Sequence, residues 1–178
     1  MILVTGGSGS GKSEFAENLA VQFGFPLYYI ATMHVSDEES EERVRRHRRQ
    51  REGKGFHTVE CPVKLEELRT DQEGATVLLE DLSNLLANEM YLPAGRLKMG
   101  NSDVLTNRLR EVILQPIFSL SEKTEHLVIV TNEVFSDGIE YDAETTRYIR
   151  LLATLNRELA KAADDVVEVV CGIPIWRK

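Results

Sequence analysis

Short apolar segments alternate with amphipathic segments along almost the whole chain. The predicted strands lie at residues 2–4, 27–31, 56–60, 76–80, 126–131 and 166–170. The run at 166–170 is expected to be the last strand of the sheet. Strands that alternate with helical segments are typical of an α/β fold, in which helices cover both faces of a mostly parallel sheet.

Apolar residues at helical spacing predict the helices between these strands. The predicted helices cover residues 12–23, 37–52, 82–90, 105–114 and 143–163, and a further helix begins within 62–69. Pro116 is expected to end the helix at 105–114, because a proline inside a helix lacks the N–H group and clashes with the preceding turn. Segment 93–103 is predicted to be a mobile loop, and segment 136–141 a second loop.

The length of 178 residues predicts a single domain over residues 1–178, long enough to bury about 70% of its unfolded surface. The net charge of −8 argues against broad nucleic-acid binding, which usually needs a basic surface. Cys61 and Cys171 lack metal-ligand spacing, so reduced thiols are expected, with a reactive thiol as the alternative. We find no basic leader and no apolar run near the roughly 20 residues that span a bilayer, and we expect a soluble, cytoplasmic protein.

A phosphate-binding motif, G-x-x-x-x-G-K-S, directly follows the first strand. It comprises Gly6, Gly7, Ser8, Gly9, Ser10, Gly11, Lys12 and Ser13. A glycine-rich turn lets backbone N–H groups converge on phosphate oxygens, and the next helix adds its positive dipole end. Lys12 would reach the β- and γ-phosphates, and the Ser13 hydroxyl would bind Mg²⁺. The strand before the motif and the helix after it favour this interpretation over a Gly/Ser turn without a ligand.

The charges of the predicted helix 37–52 are sorted by sign, with five acidic residues before six arginines. His47 lies inside the arginine run. One interpretation is a solvated surface helix, because this charge order complements the helix dipole. The other is a covalent phospho- or nucleotidyl-histidine, because nearby cations favour the neutral, nucleophilic imidazole and arginines can hold a triphosphate.

In open parallel sheets the ligand lies beyond the carboxyl ends of the strands, so the residues at these strand ends are candidate site residues. They are Thr32, Met33, Glu60, Glu80, Asp81, Asn132 and Glu133. An enzyme with a phosphate-binding loop needs an acid at the end of a neighbouring strand to help hold Mg²⁺. Glu80 is the predicted acid and Asp81 is the second candidate, although each could instead cap the helix that follows.

Several segments occur together in the order and near the spacing of a known family. They are residues 1–7, 10–13, 29–32, 43–48, 78–80, 130–134, 156–157, 162–164 and 171–173. Together they resemble the bifunctional adenosylcobinamide kinase/adenosylcobinamide-phosphate guanylyltransferases nearly end to end. Beyond the phosphate-binding motif no single segment is specific, so the resemblance depends on the whole set.

The resemblance implies an enzyme that phosphorylates the aminopropanol hydroxyl of adenosylcobinamide with ATP or GTP, and then transfers GMP from GTP to that phosphate. It implies that His47 is the guanylylated nucleophile and that the subunits form a homotrimer. It also implies nucleotide contacts beyond the phosphate-binding motif, at Ala31, Thr32, Met33, Arg48, Arg49, Gln50, Arg51, Glu60 and Glu80. Mg²⁺ is the expected cofactor, held by Ser13 and Glu80.

The chain departs from the family pattern at Gly9, where the family commonly has arginine, and at Phe135, where glycine is usual. Segment 93–103 matches no family segment. Because of Gly9, the sequence does not predict which nucleotide the kinase step prefers. Because of Phe135, it does not predict how the corrinoid is recognised.

We therefore expect a P-loop NTPase-like three-layer α/β sandwich with a mostly parallel central sheet, acting as a cobinamide kinase and guanylyltransferase. Two alternatives remain at this point. One is a small-molecule P-loop kinase whose arginine-rich helix is only a lid. The other is a non-catalytic nucleotide-binding switch module.

Overall fold

The computed structural model describes residues 1–24, 26–35, 37–68, 74–97, 102–135 and 138–178. Within them, seven strands form one sheet: β1 (Ile2–Thr5), β2 (Leu27–Ala31), β3 (Phe56–Glu60), β4 (Thr76–Leu79), β5 (His126–Val130), β6 (Asp165–Val170) and β7 (Ile173–Trp176). Their order across the sheet is β3-β2-β4-β5-β1-β6-β7, and all neighbours are parallel except β6 and β7. The six predicted strands are confirmed.

The helices in the described residues are α1 (Lys12–Phe23), α2 (Glu38–Arg51), α3 (Leu82–Tyr91), α4 (Ser102–Leu109), α5 (Gln115–Lys123) and α6 (Ala143–Ala162). They make a three-layer sandwich with the sheet, as predicted. One face of the sheet packs on apolar residues of α3 to α6, such as Leu86 and Leu155, and the other face packs on Ala16 and Ala20 of α1. No helix in the described part of the chain combines the length and the apolarity that crossing a bilayer requires.

The prediction that Pro116 ends a helix is wrong. Residues Arg110–Leu114 form a wide π-helical turn that joins α4 to α5, and Pro116 lies in the first turn of α5. In this turn the N–H of Gln115 bonds to the carbonyl of Arg110, five residues back. A π-helical turn contains one residue more than an α-helical turn, and this changes the backbone geometry where the ring of Pro116 would otherwise clash with the preceding turn.

The predicted helix that starts within 62–69 is also wrong. The described part of this segment contains only a 3₁₀ turn, Leu65–Glu67. Lys64 before it has a left-handed backbone, at φ 56°, and its N–H donates to the buried Glu89 carboxylate at 2.6 Å. This tertiary bond holds Lys64 in a conformation that no α-helix contains.

The strand at 166–170 is not the last strand of the sheet, because β7 follows it at the edge. The chain turns at Cys171 and Gly172, both with positive φ, and returns as β7 along the edge. Two residues with positive φ are typical of a tight hairpin turn, but Cys-Gly is not among the common sequences for it. All four residues of β7 are exposed, so this strand lies at the edge of the sheet and outside the core.

The predicted loop 93–103 is partly ordered by contact with the core. Leu97 is buried, and its N–H donates to the carbonyl of Glu89 at 2.8 Å. Residues 98–101 lie outside the described residues, and α4 begins at Ser102, earlier than predicted. In the second predicted loop, residues 138–141 are irregular, and residues 136–137 lie outside the described residues.

Candidate active site

The phosphate-binding motif forms the turn between β1 and α1, with Lys12 as the first residue of the helix. Gly11 before it has a left-handed backbone, at φ 88°, and supplies no side-chain cap. The first N–H groups of α1 are therefore left for a ligand such as a phosphate. A Cβ atom at Gly11 would lie 3.2 Å from the Cα of Gly172, so both the backbone conformation and the space require glycine.

Lys12 is only 9% exposed, and its Nζ donates to the carbonyl of Gly7 in the same turn at 3.1 Å. Burial lowers the pKa of the Lys12 amino group, and the nearby carboxylate of Asp81 acts in the opposite direction. A polyphosphate bound in the turn would place negative charge beside this amino group and favour its charged form. The turn has the geometry and the charge that a phosphate site needs.

Asp81, just past β4, organises the polar residues at this edge of the sheet. Its carboxylate caps α3 by accepting from the N–H groups of Ser83 at 2.8 Å and Asn84 at 3.3 Å. The side-chain amide of Asn132, past β5, donates to the same carboxylate at 3.2 Å. Asp81 therefore combines the helix-cap role with a position close enough to Lys12 to affect its charge.

The side chain of Glu80 joins a different group of residues from that of Asp81. Glu80 is 9% exposed and accepts a hydrogen bond from the Tyr29 hydroxyl, while the Arg51 guanidinium lies 3.4 Å from the centre of the Tyr29 ring. Burial raises the pKa of Glu80, although the Tyr29 hydrogen bond and the charge of Arg51 oppose this rise. The predicted metal-binding acid thus lies beside the end of α2.

Helix α2 is a surface helix that is stabilised at its start and along its exposed side. The Asp37 carboxylate accepts from the N–H of Ser40 at 2.8 Å, and the Ser40 hydroxyl accepts from the N–H of Asp37 in return. Glu41 and Arg45, one helical turn apart, form an ion pair with 2.9 Å between the charged atoms. The helix therefore holds its shape largely through local contacts.

A pocket of about 240 Å³ lies between α2 and the ends of β2, β3 and β4. Its lining includes the predicted site residues Ala31, Met33, His47, Arg48, Arg51, Glu60 and Glu80. Arg48 pairs with Glu60 at 2.6 Å, and both side chains are more than half exposed, at 57% and 69%. An exposed pair contributes little stability, so Arg48 can exchange Glu60 for a phosphate at low cost. We call this cavity the His47 pocket.

Two predicted contacts, Thr32 and Arg49, do not line the His47 pocket. Thr32 is buried, and its hydroxyl donates to the backbone carbonyl of Asp81 at 2.9 Å. Arg49 is exposed on α2. The side chain of Gln50 lies outside the described residues.

Several residues that line or support the pocket were not among the sequence predictions. The lining also includes His34, Val35, Val44, Thr58 and Pro62. His34 carries a signal in the sequence, because it is an ionisable residue shortly after a strand end, and Tyr29 is a polar group in an otherwise apolar strand. The remaining residues carry no local signal, because only the packing of α2 on the sheet brings them together.

The phosphate-binding turn and the His47 pocket are two separate parts of the same sheet edge. Strands β4 and β5 lie between β1 and β2, so the chains leave the sheet about 14 Å apart at a spacing of about 4.8 Å per strand. A salt bridge of 2.7 Å between Lys54, after α2, and Glu17 of α1 connects the helices that carry the two parts. Glu17 is 3% exposed, so this connection is buried at its acidic end.

Comparison with known proteins matches residues 2–176 to the family described as cobinamide kinase/cobinamide phosphate guanyltransferase, CobU. The bifunctional adenosylcobalamin biosynthesis protein CobU of Escherichia coli K12 is 34% identical over 180 residues, covering 98% of each chain. CobU of Salmonella typhimurium LT2 is 33% identical over 182 residues, again with 98% of each chain covered. CobP of Pseudomonas aeruginosa PAO1, also named a bifunctional adenosylcobalamin biosynthesis protein, is 29% identical over 174 residues, or 97% of this chain and 94% of the relative. The chain therefore belongs to the cobinamide kinase/cobinamide phosphate guanyltransferase family.

Proposed function

We propose that this protein phosphorylates the aminopropanol hydroxyl of adenosylcobinamide with a nucleoside triphosphate, and then transfers GMP from GTP to the new phosphate through a guanylyl-histidine. The observation that carries the proposal is the His47 pocket, where His47, Arg48 and Arg51 lie together. These side chains meet the strand-end residues Glu60 and Glu80 in one cavity, at the same edge of the sheet as the phosphate-binding turn.

In the kinase step, the backbone N–H groups of the turn and the Lys12 ammonium hold the β- and γ-phosphates. The acceptor hydroxyl attacks the γ-phosphorus and releases its proton to solvent, the bond to the β-phosphate oxygen breaks, and the nucleoside diphosphate leaves. Mg²⁺ bound to the phosphates would neutralise the charge that develops, held by the Ser13 hydroxyl and a carboxylate at the end of β4. Glu80 is the acid expected from the sequence, and Asp81 is the acid that affects Lys12. The variants Glu80→Gln and Asp81→Asn, tested separately, show which of the two carboxylates binds Mg²⁺.

In the guanylyl step, the neutral imidazole of His47 attacks the α-phosphorus of GTP, and pyrophosphate leaves as the bond between the α-phosphorus and the bridging oxygen breaks. The phosphate of adenosylcobinamide phosphate then attacks the same phosphorus, and the bond to His47 breaks. Arg48 and Arg51, which line the pocket, hold the triphosphate and stabilise its developing charge. GTP is the proposed substrate of the guanylyl step, and ATP or GTP that of the kinase step.

We also propose that the active protein is a cytoplasmic homotrimer. Strand β7 is an edge of the sheet with large apolar side chains exposed, including Ile173 at 64% and Trp176 at 53%. An open apolar edge of this kind favours pairing with another chain. Cys61 and Cys171 are free thiols, as expected for a reducing compartment.

The test is incubation with GTP labelled at the α-phosphate, without any corrinoid. We expect acid-labile, alkali-stable label on the wild type and none on His47→Asn. His34→Asn is the matched control, because His34 lines the same pocket and should keep the label. Phosphorylation of adenosylcobinamide without label would indicate a plain kinase, and nucleotide binding without turnover would indicate a switch module.

A further inference from the structure

A trough at the end of β5, the strand between β4 and β1, belongs to neither the phosphate-binding turn nor the His47 pocket. It has a volume of about 430 Å³ and lies between the chain that follows β5 and the first turns of α6. A second groove of about 490 Å³ continues along α6 towards α4, and the two cavities share Thr146 and Arg150. Each volume is within the range of small-molecule sites.

The trough is lined mainly by large apolar side chains that face solvent. Phe135 is 41% exposed, Ile139 is 61% exposed and Tyr141 is 39% exposed. The three side chains line one cavity, and exposed apolar residues grouped in this way mark binding sites. Arg150, exposed on α6, and the hydroxyl of Thr146 add a few polar groups.

The trough starts directly beside the phosphate-binding turn. Strand β5 is the neighbour of β1, and the N–H of Glu133, past the end of β5, donates to the carbonyl of Gly6 at 3.0 Å. The Glu133 carboxylate then accepts from the N–H of Phe135 at 2.9 Å, which fixes the first residue of the trough relative to the turn. A ligand in the trough would therefore lie one strand away from the bound phosphates, about 5 Å at the base of the sheet.

We propose that this trough binds the corrinoid macrocycle of the acceptor and directs its side-chain hydroxyl towards the phosphate-binding turn. A corrinoid is a broad, nearly flat ring with apolar faces and a rim of amide groups. The rings of Phe135 and Tyr141 match its faces, and the Arg150 guanidinium can donate to the carbonyl oxygens of its rim. A nucleotide is a poorer match, since the trough offers one apolar surface and no second phosphate-binding turn.

The inference rests on the proposed function, so its test needs a readout that does not depend on catalysis. Equilibrium dialysis against adenosylcobinamide, followed by its visible absorbance, measures binding directly. The variants are Phe135→Ala, Ile139→Ala and the combination of both. The matched control is Ile175→Ala, which removes the same atoms as Ile139→Ala from an exposed position on β7, at the far edge of the sheet. Because β7 is the proposed subunit edge, the oligomer mass of this variant is measured first, and its Kd is taken from the fraction with the wild-type mass. Labelling of His47 by GTP alone reports that each variant is folded and active.

Loss of one large apolar contact should raise the Kd for adenosylcobinamide at least about tenfold, and the double variant should raise it further. The KM for adenosylcobinamide should rise in parallel, while the KM for ATP and the GTP labelling stay at wild-type values. Ile175→Ala should leave the corrinoid Kd unchanged.

An unchanged corrinoid Kd in the double variant, with normal GTP labelling, would overturn the trough assignment and leave the proposed function intact. The same holds if the variants alter the mass of the oligomer and not the Kd, because the trough is then a subunit interface. If the wild type binds no adenosylcobinamide, the assignment and the proposed function both fail. Corrinoid binding that depends on Phe135 and Ile139 without any labelling of His47 would support the trough and refute the guanylyl step.

Discussion

Removing the charge of Lys54 is expected to destabilise the fold and to misplace α2. The Nζ of Lys54 lies 2.7 Å from the Glu17 carboxylate, and the two side chains are 25% and 3% exposed. Lys54→Met leaves the charge of Glu17 buried without its partner. Breaking a buried ion pair from one side costs about 3–5 kcal/mol, and we expect the lower end, about 3 kcal/mol, because Lys54 is partly solvated.

Urea unfolding followed by circular dichroism measures this loss in the free energy of unfolding, and thermal unfolding measures the matching change in Tm. In a chain of this size, 1 kcal/mol corresponds to about 2–4 °C in Tm, so Lys54→Met should melt about 6–12 °C below the wild type. The double variant Glu17→Gln/Lys54→Met should recover most of the loss, because no unpaired charge remains. The control is Lys64→Met, which breaks an exposed pair with Glu67 at 3.1 Å and should cost less than about 1 kcal/mol.

A loss in Lys54→Met no larger than in Lys64→Met would refute the reasoning, and so would a double variant as unstable as the single one. The same variant tests the connection between the two parts of the site. Below its melting temperature, Lys54→Met should label with GTP more slowly than the wild type, because α2 is no longer tied to α1. Labelling at the wild-type rate would show that α2 is positioned without the salt bridge.

Three further predictions concern single residues of the site. Gly11→Ala places a side chain at φ 88° and 3.2 Å from a neighbouring Cα, so it should cost about 1–2 kcal/mol and weaken nucleotide binding. The control is Gly24→Ala, at φ 98° with open space around it, which should be strained but bind nucleotide normally. Calorimetry measures nucleotide binding in both variants. The pKa of Glu80 in the native state is raised above its ordinary 4.5, so the native state binds this proton more tightly than the unfolded chain. The stability that results is fully present below pH 4.5 and is lost as the pH rises through the native pKa. The stability of Glu80→Gln relative to the wild type, from urea unfolding, should therefore increase between about pH 4 and pH 7. Asn88→Ala removes two donated bonds of 2.7 Å and 2.9 Å to backbone carbonyls at the edge of the His47 pocket, so it should cost about 2 kcal/mol and raise the Kd for GTP.

The sequence predicts the elements whose structure is decided by local chemistry. The phosphate-binding turn is encoded by glycines at positions that need positive φ, such as Gly9 and Gly11. Helix α2 is encoded by its Asp37 cap and its ordered charges. Strands β1, β4 and β5 are encoded by apolar runs, whereas β3 and β6 also include polar residues, and all six predicted strands form.

The elements that were missed depend on contacts with distant parts of the chain. The turn at Leu65–Glu67 is held by the buried carboxylate of Glu89, and Pro116 is tolerated because a π-helical turn precedes it. Strand β7 has no apolar face towards the core, so only its pairing with β6 defines it. None of these features leaves a periodic signal in the sequence.

The candidate site shows the same division. The residues just past the strand ends could be predicted, because parallel strands bring their carboxyl ends to one edge. The separate environments of Glu80 and Asp81 could not, because they depend on which side chain the α3 cap uses and on the position of Arg51 over Tyr29. The convergence of His47 with Arg48 and Arg51 likewise depends on how α2 packs against the sheet.

The most direct test of the central claim is a peptide map of the protein after incubation with GTP and no corrinoid. The account predicts a GMP adduct on the peptide that contains His47, discharged when adenosylcobinamide phosphate is added. An adduct on Lys12 or His34, or an adduct on His47 that the corrinoid phosphate does not discharge, would contradict it.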